Sequence, residues 1–370
     1  MRFWGRGLSR PRTYPDSLGW CLMRLDQDVR TLTAELVDIA SESGNEKPLA
    51  DAVEAALTRL GHLTVDRDGS NVVARTHLGR PERVVVAGHL DTVPIAGNVP
   101  SRIDGDRLYG CGTTDMKSGV AVQLKLALLT EPNRDLTLVF YDCEEVEAAR
   151  NGLGMLVREH PDWVRGDFAV LMEPTDGEIE GGCQGTMRAE VRTTGVRAHS
   201  ARSWLGVNAV HRAAEILNRL LAYEPRKPVV DGLAYHEGLN AVRIDGGHAG
   251  NVIPDECVVT VNYRFAPDRT EAEAAGFLAE FFAGFDVRIT DSAPGARPGL
   301  DHPIASAFAA IVGGPPQAKV AWTDVARFSA LGVPAVNYGP GNPEVAHKRD
   351  EYVELAKIVE AERVMTSWLT

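Results

Sequence analysis

The sequence predicts an α/β protein: a mixed, mainly parallel sheet flanked by helices, interrupted by a smaller inserted α+β segment. Three observations predict it. Short runs apolar on both faces, at 83–88 and 136–141, alternate with stretches of helical spacing. Between residues 183 and 292 the pattern changes to strands of mixed polarity, as in RAEVRTTGV at 188–196, which suits a sheet with one face in water. The length of 370 residues is ample for two cores.

Helical spacing of Val29, Leu32, Leu36 and Ile39, then of Leu49, Val53, Ala56, Leu57 and Leu60, predicts two helices separated by a turn at 41–44. Strands are expected at 63–66, 71–76 and 84–88. A Gly-rich turn at 110–112 leads into an apolar helix over 119–130. A strand at 136–141, a helix at 152–160 and a strand at 168–172 complete the first part. In the insert, strands are expected at 188–196, 239–244, 257–265 and 286–290, with helices at 208–223 and 271–282. The chain then returns to α/β character, with helices at 303–312 and 325–331, a strand at 335–338 and a last helix over 352–368. A catalytic unit of 23–182 with 293–370 is therefore expected around an insert of 183–292. Residues 1–22 are Arg-rich, aperiodic and without the apolar stretch of a secretory signal, and are expected to be a disordered extension.

Apolar residues make up 44% and charged residues 24%, as in ordinary globular proteins, and no apolar run approaches the length of a membrane span. The net charge of −12 disfavours nucleic acid or an anionic membrane as partner. Five widely spaced cysteines without a CxxC pair suggest neither a disulfide framework nor a thiolate metal site, and fit reduced thiols in a cytosol. Cys111 and Cys143 adjoin interesting acids, but a lone cysteine is more often a small buried filler than a nucleophile.

The chemistry gathers where apolar runs end. His89 and Asp91 follow the run at 84–88, on one face of an extended chain. Asp115 and Lys117 follow the Gly-rich turn; the spacing is wrong for a P-loop, and a helix cap would also explain them. The strand VFY at 139–141 runs into Asp142, Glu144, Glu145 and Glu147. Glu173 ends the next strand, and His347 lies in a loop after another apolar run. Each residue alone suits an ordinary loop. Together they fall at strand ends that converge on one edge of a parallel sheet. Two histidines and three carboxylates suit a pair of Zn²⁺-like ions bridged by one carboxylate, and cations would relieve the repulsion among buried acids. An adjacent glutamate is then free to act as a base.

In order and spacing, HLDTVP, GCGTTDMKSG, CEEVEAARNG, MEPT and AHKRDE resemble the M20 dizinc hydrolases, a family that includes aminoacylases and carboxypeptidases. The resemblance covers residues 25–370. It implies that His89 and Glu173 hold one zinc, Glu145 and His347 the other, and Asp115 bridges them, with cobalt or manganese as alternative metals. It implies Glu144 as general base, Asp91 as the orienter of His89, and a lid-and-dimerisation insert whose His199 reaches a neighbouring active site. It also implies that Asn251, in NVIP, and Arg264, in YRF, meet the substrate, and that Thr323 and Arg327, in WTDVARF, form a substrate-binding turn. The expected molecule is a cytosolic homodimer acting on a small anionic N-acyl amino acid. Cys183-Gln184, where many members with this lid segment carry a basic pair, and Gly250 before Asn251 depart from the pattern at positions that bear on the substrate. An aminoacylase-like activity on another N-acyl amino acid is the alternative within the family. A non-catalytic binder would have no need of Glu144, and a serine hydrolase lacks its Gly-x-Ser-x-Gly stretch.

Overall fold

In the computed structural model, residues 23–370 are described, and the extension expected over 1–22 lies outside them. The larger sheet has eight strands, and its centre is four parallel strands in the order 135–141, 83–89, 168–171 and 335–337. Strands Asn71–Arg75 and Thr64–Asp68 add antiparallel on one side. The short pieces Glu180–Gly181 and Gln317–Ala318 extend the other side.

Alternation along the central strands builds two cores. Val84, Val86, Leu138, Phe140 and Val170 face the helices Val29–Asp38, Lys47–Thr58, Ser118–Leu126 and Leu355–Leu369. Val85, Ala87, Val139, Tyr141 and Leu171 face Gly152–Glu159 and Val325–Ala330. Both faces are therefore buried, which is why these strands read as unbroken apolar runs.

The second sheet is antiparallel, in the order 238–246, 256–265, 185–194 and 286–293. Its face of Met187, Ala189, Val191, Val261, Tyr263 and Phe265 packs on the helices Ala209–Leu221 and Glu271–Phe281. Among the described residues the opposite face carries mainly polar side chains and no helix, so the sequence shows alternation here instead of continuous apolarity.

Two expectations need correction. Residues 352–354 are not the start of the last helix. Tyr352–Glu354 pairs antiparallel with Arg107–Tyr109, and the helix begins at Leu355. The Arg107 guanidinium lies 4.2 Å above the Tyr352 ring, and Thr114 Oγ1 donates to Tyr352 O at 2.6 Å, contacts that fix this segment as extended chain. The helix expected over 119–130 ends at Leu126, and turn hydrogen bonds at Leu128 and Leu129 replace its last turn.

Candidate active site

The C-terminal ends of the central strands deliver His89, the 143–145 turn and Glu173 to one edge of the sheet. Asp115 reaches the same edge from a loop that the helix Ser118–Leu126 carries inward. A side chain at Gly119 could not be placed there, because its Cβ would lie 2.2 Å from Met172 O, one residue before Glu173. Gly339 is equally constrained, with its Cβ position 2.5 Å from Glu173 O.

His89, Asp115, Glu145 and His347 come into direct contact. His89 Nε2 is 3.1 Å from Asp115 Oδ1, and His347 Nε2 is 3.3 Å from Asp115 Oδ2 and 2.8 Å from Glu145 Oε1. Asp115 thus faces one histidine with each carboxylate oxygen. Ligand atoms of His89, Asp115 and Glu145 lie within 4.8 Å of one another. Glu173 is buried, and among the described residues its Oε1 has no hydrogen-bond partner. An orphaned buried carboxylate oxygen is costly unless a cation meets it.

The electrostatics point the same way. Burial, then the charge of Asp115, raises Glu173 to about 8. Burial likewise raises Glu144, with Glu173 adding to it and His89 opposing it. Hydrogen bonds to Asp115 and Glu145 raise His347 to about 10. Burial disfavours the charged imidazole of His89, but Asp115 and Asp91 outweigh it and hold its proton on. Burial would also raise Asp115, yet His347 and His89 keep it ionised well below the usual carboxylate range. Glu173, Glu144 and both imidazoles cling to protons, so the cluster is short of positive charge. Divalent cations are what such a donor set accommodates.

Asp91 does more than touch His89. Its Oδ1 accepts from Glu144 N and its Oδ2 from Glu145 N, both at 3.0 Å, and Ser43 Oγ donates to Oδ2 at 2.7 Å. Cys143, at φ 55°, turns the chain in the left-handed region so that consecutive N–H groups aim at one carboxylate. His89 Nδ1 contacts Asp91 O at 3.0 Å and lies 3.5 Å from Asp91 Oδ1.

Glu351 has a matching role that the sequence reading missed. Its buried carboxylate accepts from the N–H groups of Gly112, Thr114 and Asp115, at 3.1, 2.8 and 3.1 Å. The only signal was an acid four residues after His347 in a loop otherwise rich in charge. Glu147 is exposed and 3.8 Å from Arg150, apart from the cluster. Cys143 is buried with its thiol pushed up to about 12, and burial also raises Cys111, so neither thiol is poised as a nucleophile.

Glu144 and Glu145 form one wall of a cleft of about 600 Å³, also lined by Asn151, Arg327, Trp322 and the polar face of the second sheet, including Arg264. Arg327 is held by Asp324 and lies over the Trp322 ring at 5.4 Å, while its Nη2 lacks a partner among the described residues. Thr323 is buried and does not line the cleft; its Oγ1 donates to Asn337 Oδ1 at 2.9 Å. His199 and Asn251 lie together on exposed chain, where Ser200 N donates to Asn251 O at 2.9 Å, and neither lines this cleft. Cys183 is buried with its thiol donating to Thr323 O at 3.6 Å. Gln184 Nε2 donates to His236 O at 2.6 Å.

A parallel-centred sheet with a cluster of acids and histidines at its strand ends defines a metal-dependent hydrolase, and the chain belongs to peptidase family M20/M25/M40, whose model matches residues 85–370. Among individual relatives, it is 55% identical to the Mycobacterium tuberculosis protein named "Putative succinyl-diaminopimelate desuccinylase DapE", over 94% of this chain and 99% of that one. It is 48% identical to the succinyl-diaminopimelate desuccinylase of Corynebacterium glutamicum, over 93% of this chain and 96% of that one. Its fold matches that of a Staphylococcus aureus tripeptidase with a TM-score of 0.75 at 20% identity, covering 94% and 98% of the two chains.

Proposed function

We propose that this enzyme hydrolyses N-succinyl-L,L-2,6-diaminopimelate to succinate and diaminopimelate, as a cytosolic homodimer. The observation that carries the reading is Glu144 standing beside the His89–Asp115–Glu145–His347 cluster, in a cleft whose other wall presents Arg264. The substrate comes from the names of the 55% and 48% identical relatives.

The orphaned Glu173 Oε1 and the donor set fit a pair of divalent ions. His89 and Glu173 would hold one and Glu145 and His347 the other, with Asp115 between them. Zinc suits these nitrogen and oxygen donors, with cobalt and manganese as alternatives. Bound there, the ions supply Lewis acidity to the amide carbonyl and the attacking water. Glu144 takes a proton from that water as its oxygen adds to the carbonyl carbon, and delivers a proton to the nitrogen as the C–N bond breaks. Asp91 holds Glu144 and Glu145 from below, through their backbone N–H groups, and braces His89. Arg264 and Arg327 meet substrate carboxylates in charge-assisted pairs, and Thr323 supports that wall through Asn337.

His199, with Asn251 beside it, serves the active site of a second copy by donating to the oxyanion that develops there. Residues 183–292 act as the lid and dimerisation unit. Strand Gly238–Gly246 is an edge strand with Val242 and Ile244 exposed, and the Ala209–Leu221 helix exposes Val210, Leu217 and Leu221. Pairing with another copy would cover both.

Turnover assays of the zinc-loaded protein test the reading. N-succinyl-diaminopimelate should be cleaved in preference to N-acetyl-ornithine and other N-acyl amino acids. Preference for one of those would transfer the assignment to another acyl amino acid, and cleavage of none would overturn the reading.

A further inference from the structure

The polar face of the antiparallel sheet holds two arginines that, among the described residues, lack an ion-pair partner. Strands Gly185–Thr194 and Glu256–Phe265 pair so that Thr186 stands opposite Arg264 and Arg188 opposite Asn262. Alternation sends their neighbours Met187, Ala189, Tyr263 and Phe265 into the core, and these four polar residues to the other face. That face is the wall of the cleft opposite Glu144 and Glu145.

Arg188 and Arg264 are diagonal neighbours on paired strands, a relationship that sets two residues about 7–8 Å apart and their Cβ atoms somewhat closer. Asn262 Nδ2, between them, donates to Thr186 Oγ1 at 3.3 Å and accepts from neither. Among the described residues neither arginine makes a side-chain hydrogen bond or has a carboxylate within ion-pair distance, although Asp291 and Glu147 also line the cleft. Other arginines on this sheet are paired: Arg192 with Glu256, Arg243 with Asp245 and Arg288 with Glu190. Burial, then the charge of Arg188, lowers the pKa of Arg264, so the two guanidinium groups repel. Like charges facing a cleft without an acid partner are the arrangement that an anionic ligand completes.

We propose that Arg188 is a specificity-determining residue that, together with Arg264, grips a second carboxylate of the substrate, so that the cleft selects acyl amino acids bearing several carboxylates over those bearing one. The proposal rests on the amide-hydrolase reading above. It gives the second sheet a chemical role beyond covering the site.

Kinetics and binding of Arg188→Gln and Arg188→Lys in the metal-loaded enzyme test it. With N-succinyl-diaminopimelate, Arg188→Gln should raise KM about ten- to a hundredfold with kcat within about threefold of the parent, the loss expected for one charge-assisted contact. Arg188→Lys should recover part of that loss. On N-acetyl-lysine, which has one carboxylate, Arg188→Gln should change KM by less than about twofold. An unchanged KM on the succinylated substrate, or an equal rise on both compounds, overturns the proposal. Calorimetric titration with succinate separates this failure from failure of the functional reading. If the parent cleaves neither compound, the functional reading is lost. The arginine clamp then stands if Arg188→Gln weakens succinate binding at least about fivefold, and falls if binding is unchanged.

Discussion

The carboxylate of Asp91 accepts the backbone N–H of Glu145 at 3.0 Å, and its other oxygen accepts the N–H of Glu144 at the same distance. A fully buried acid on one strand end thus fixes the turn on the neighbouring strand that carries Glu144 and Glu145. Asp91→Ala leaves two N–H groups and the Ser43 hydroxyl without their acceptor. It should destabilise the protein by about 2–4 kcal/mol in urea unfolding and reduce bound metal. Asp91→Asn keeps one good acceptor and should cost less. Parent-like stability in Asp91→Ala would show that the turn holds itself.

Among the described residues, Arg264 faces the cleft with no carboxylate partner. Arg264→Gln should raise KM for the succinylated substrate about ten- to a hundredfold while leaving metal content and unfolding midpoint near the parent's. A collapse of stability with KM unchanged would make it a structural residue instead.

Asp142 gives a pH signature apart from the His89–Asp115–Glu145–His347 cluster. Burial, then the charges of Glu46 and Asp91, raises its carboxyl from 3.8 to about 6. As pH climbs through that window the unfolded chain loses this proton first, so stability falls, and the cost persists above it. Asp142→Asn removes the penalty. It should be more stable than the parent at pH 7.5, with an advantage that shrinks toward pH 4, read by urea unfolding at several pH values. Glu46, Asp142 and Cys143 also bring ligand atoms within 4.8 Å of one another. A cation bound there would reverse the sign, making Asp142→Asn the less stable protein at neutral pH.

Mixing subunits tests whether His199 acts across a dimer. Glu144→Gln and His199→Ala homodimers should each be nearly inactive. A heterodimer of the two would contain one site with intact Glu144 and an intact partner His199, so mixing should restore activity. No recovery on verified subunit exchange would place His199 in its own chain's site or outside catalysis.

The site was legible in the sequence to the extent that chemistry was concentrated at strand ends. His89 and Glu145 follow apolar runs, Asp115 a Gly-rich turn, and His347 lies in a loop after another apolar run, yet all four meet in space. The supporting contacts were less visible. Glu351 looks like one more surface acid until the fold brings the Gly112–Asp115 backbone over it. Thr323 sits in a promising turn, but burial commits its hydroxyl to Asn337. The helical pattern of the last helix extends back from Leu355 over Tyr352–Glu354, and only the pairing of that segment with a distant three-residue strand makes it extended. Arg188 reads as an exposed strand residue, and its meaning depends on what the second sheet faces. Local pattern captured elements and reactive types, whereas contacts far apart in sequence decided which polar groups were already spoken for.

The central claim is that Glu144 moves the proton while its neighbour Glu145 belongs to the metal set. Glu144→Gln keeps the size and the backbone contacts to Asp91 but removes the base. Turnover of N-succinyl-diaminopimelate and metal content, measured on the same preparation, decide it. With Glu144 as the base, kcat should fall by roughly 10²–10⁴ with metal content equal to the parent's. Parent-like turnover, or loss of metal in step with activity, would contradict it.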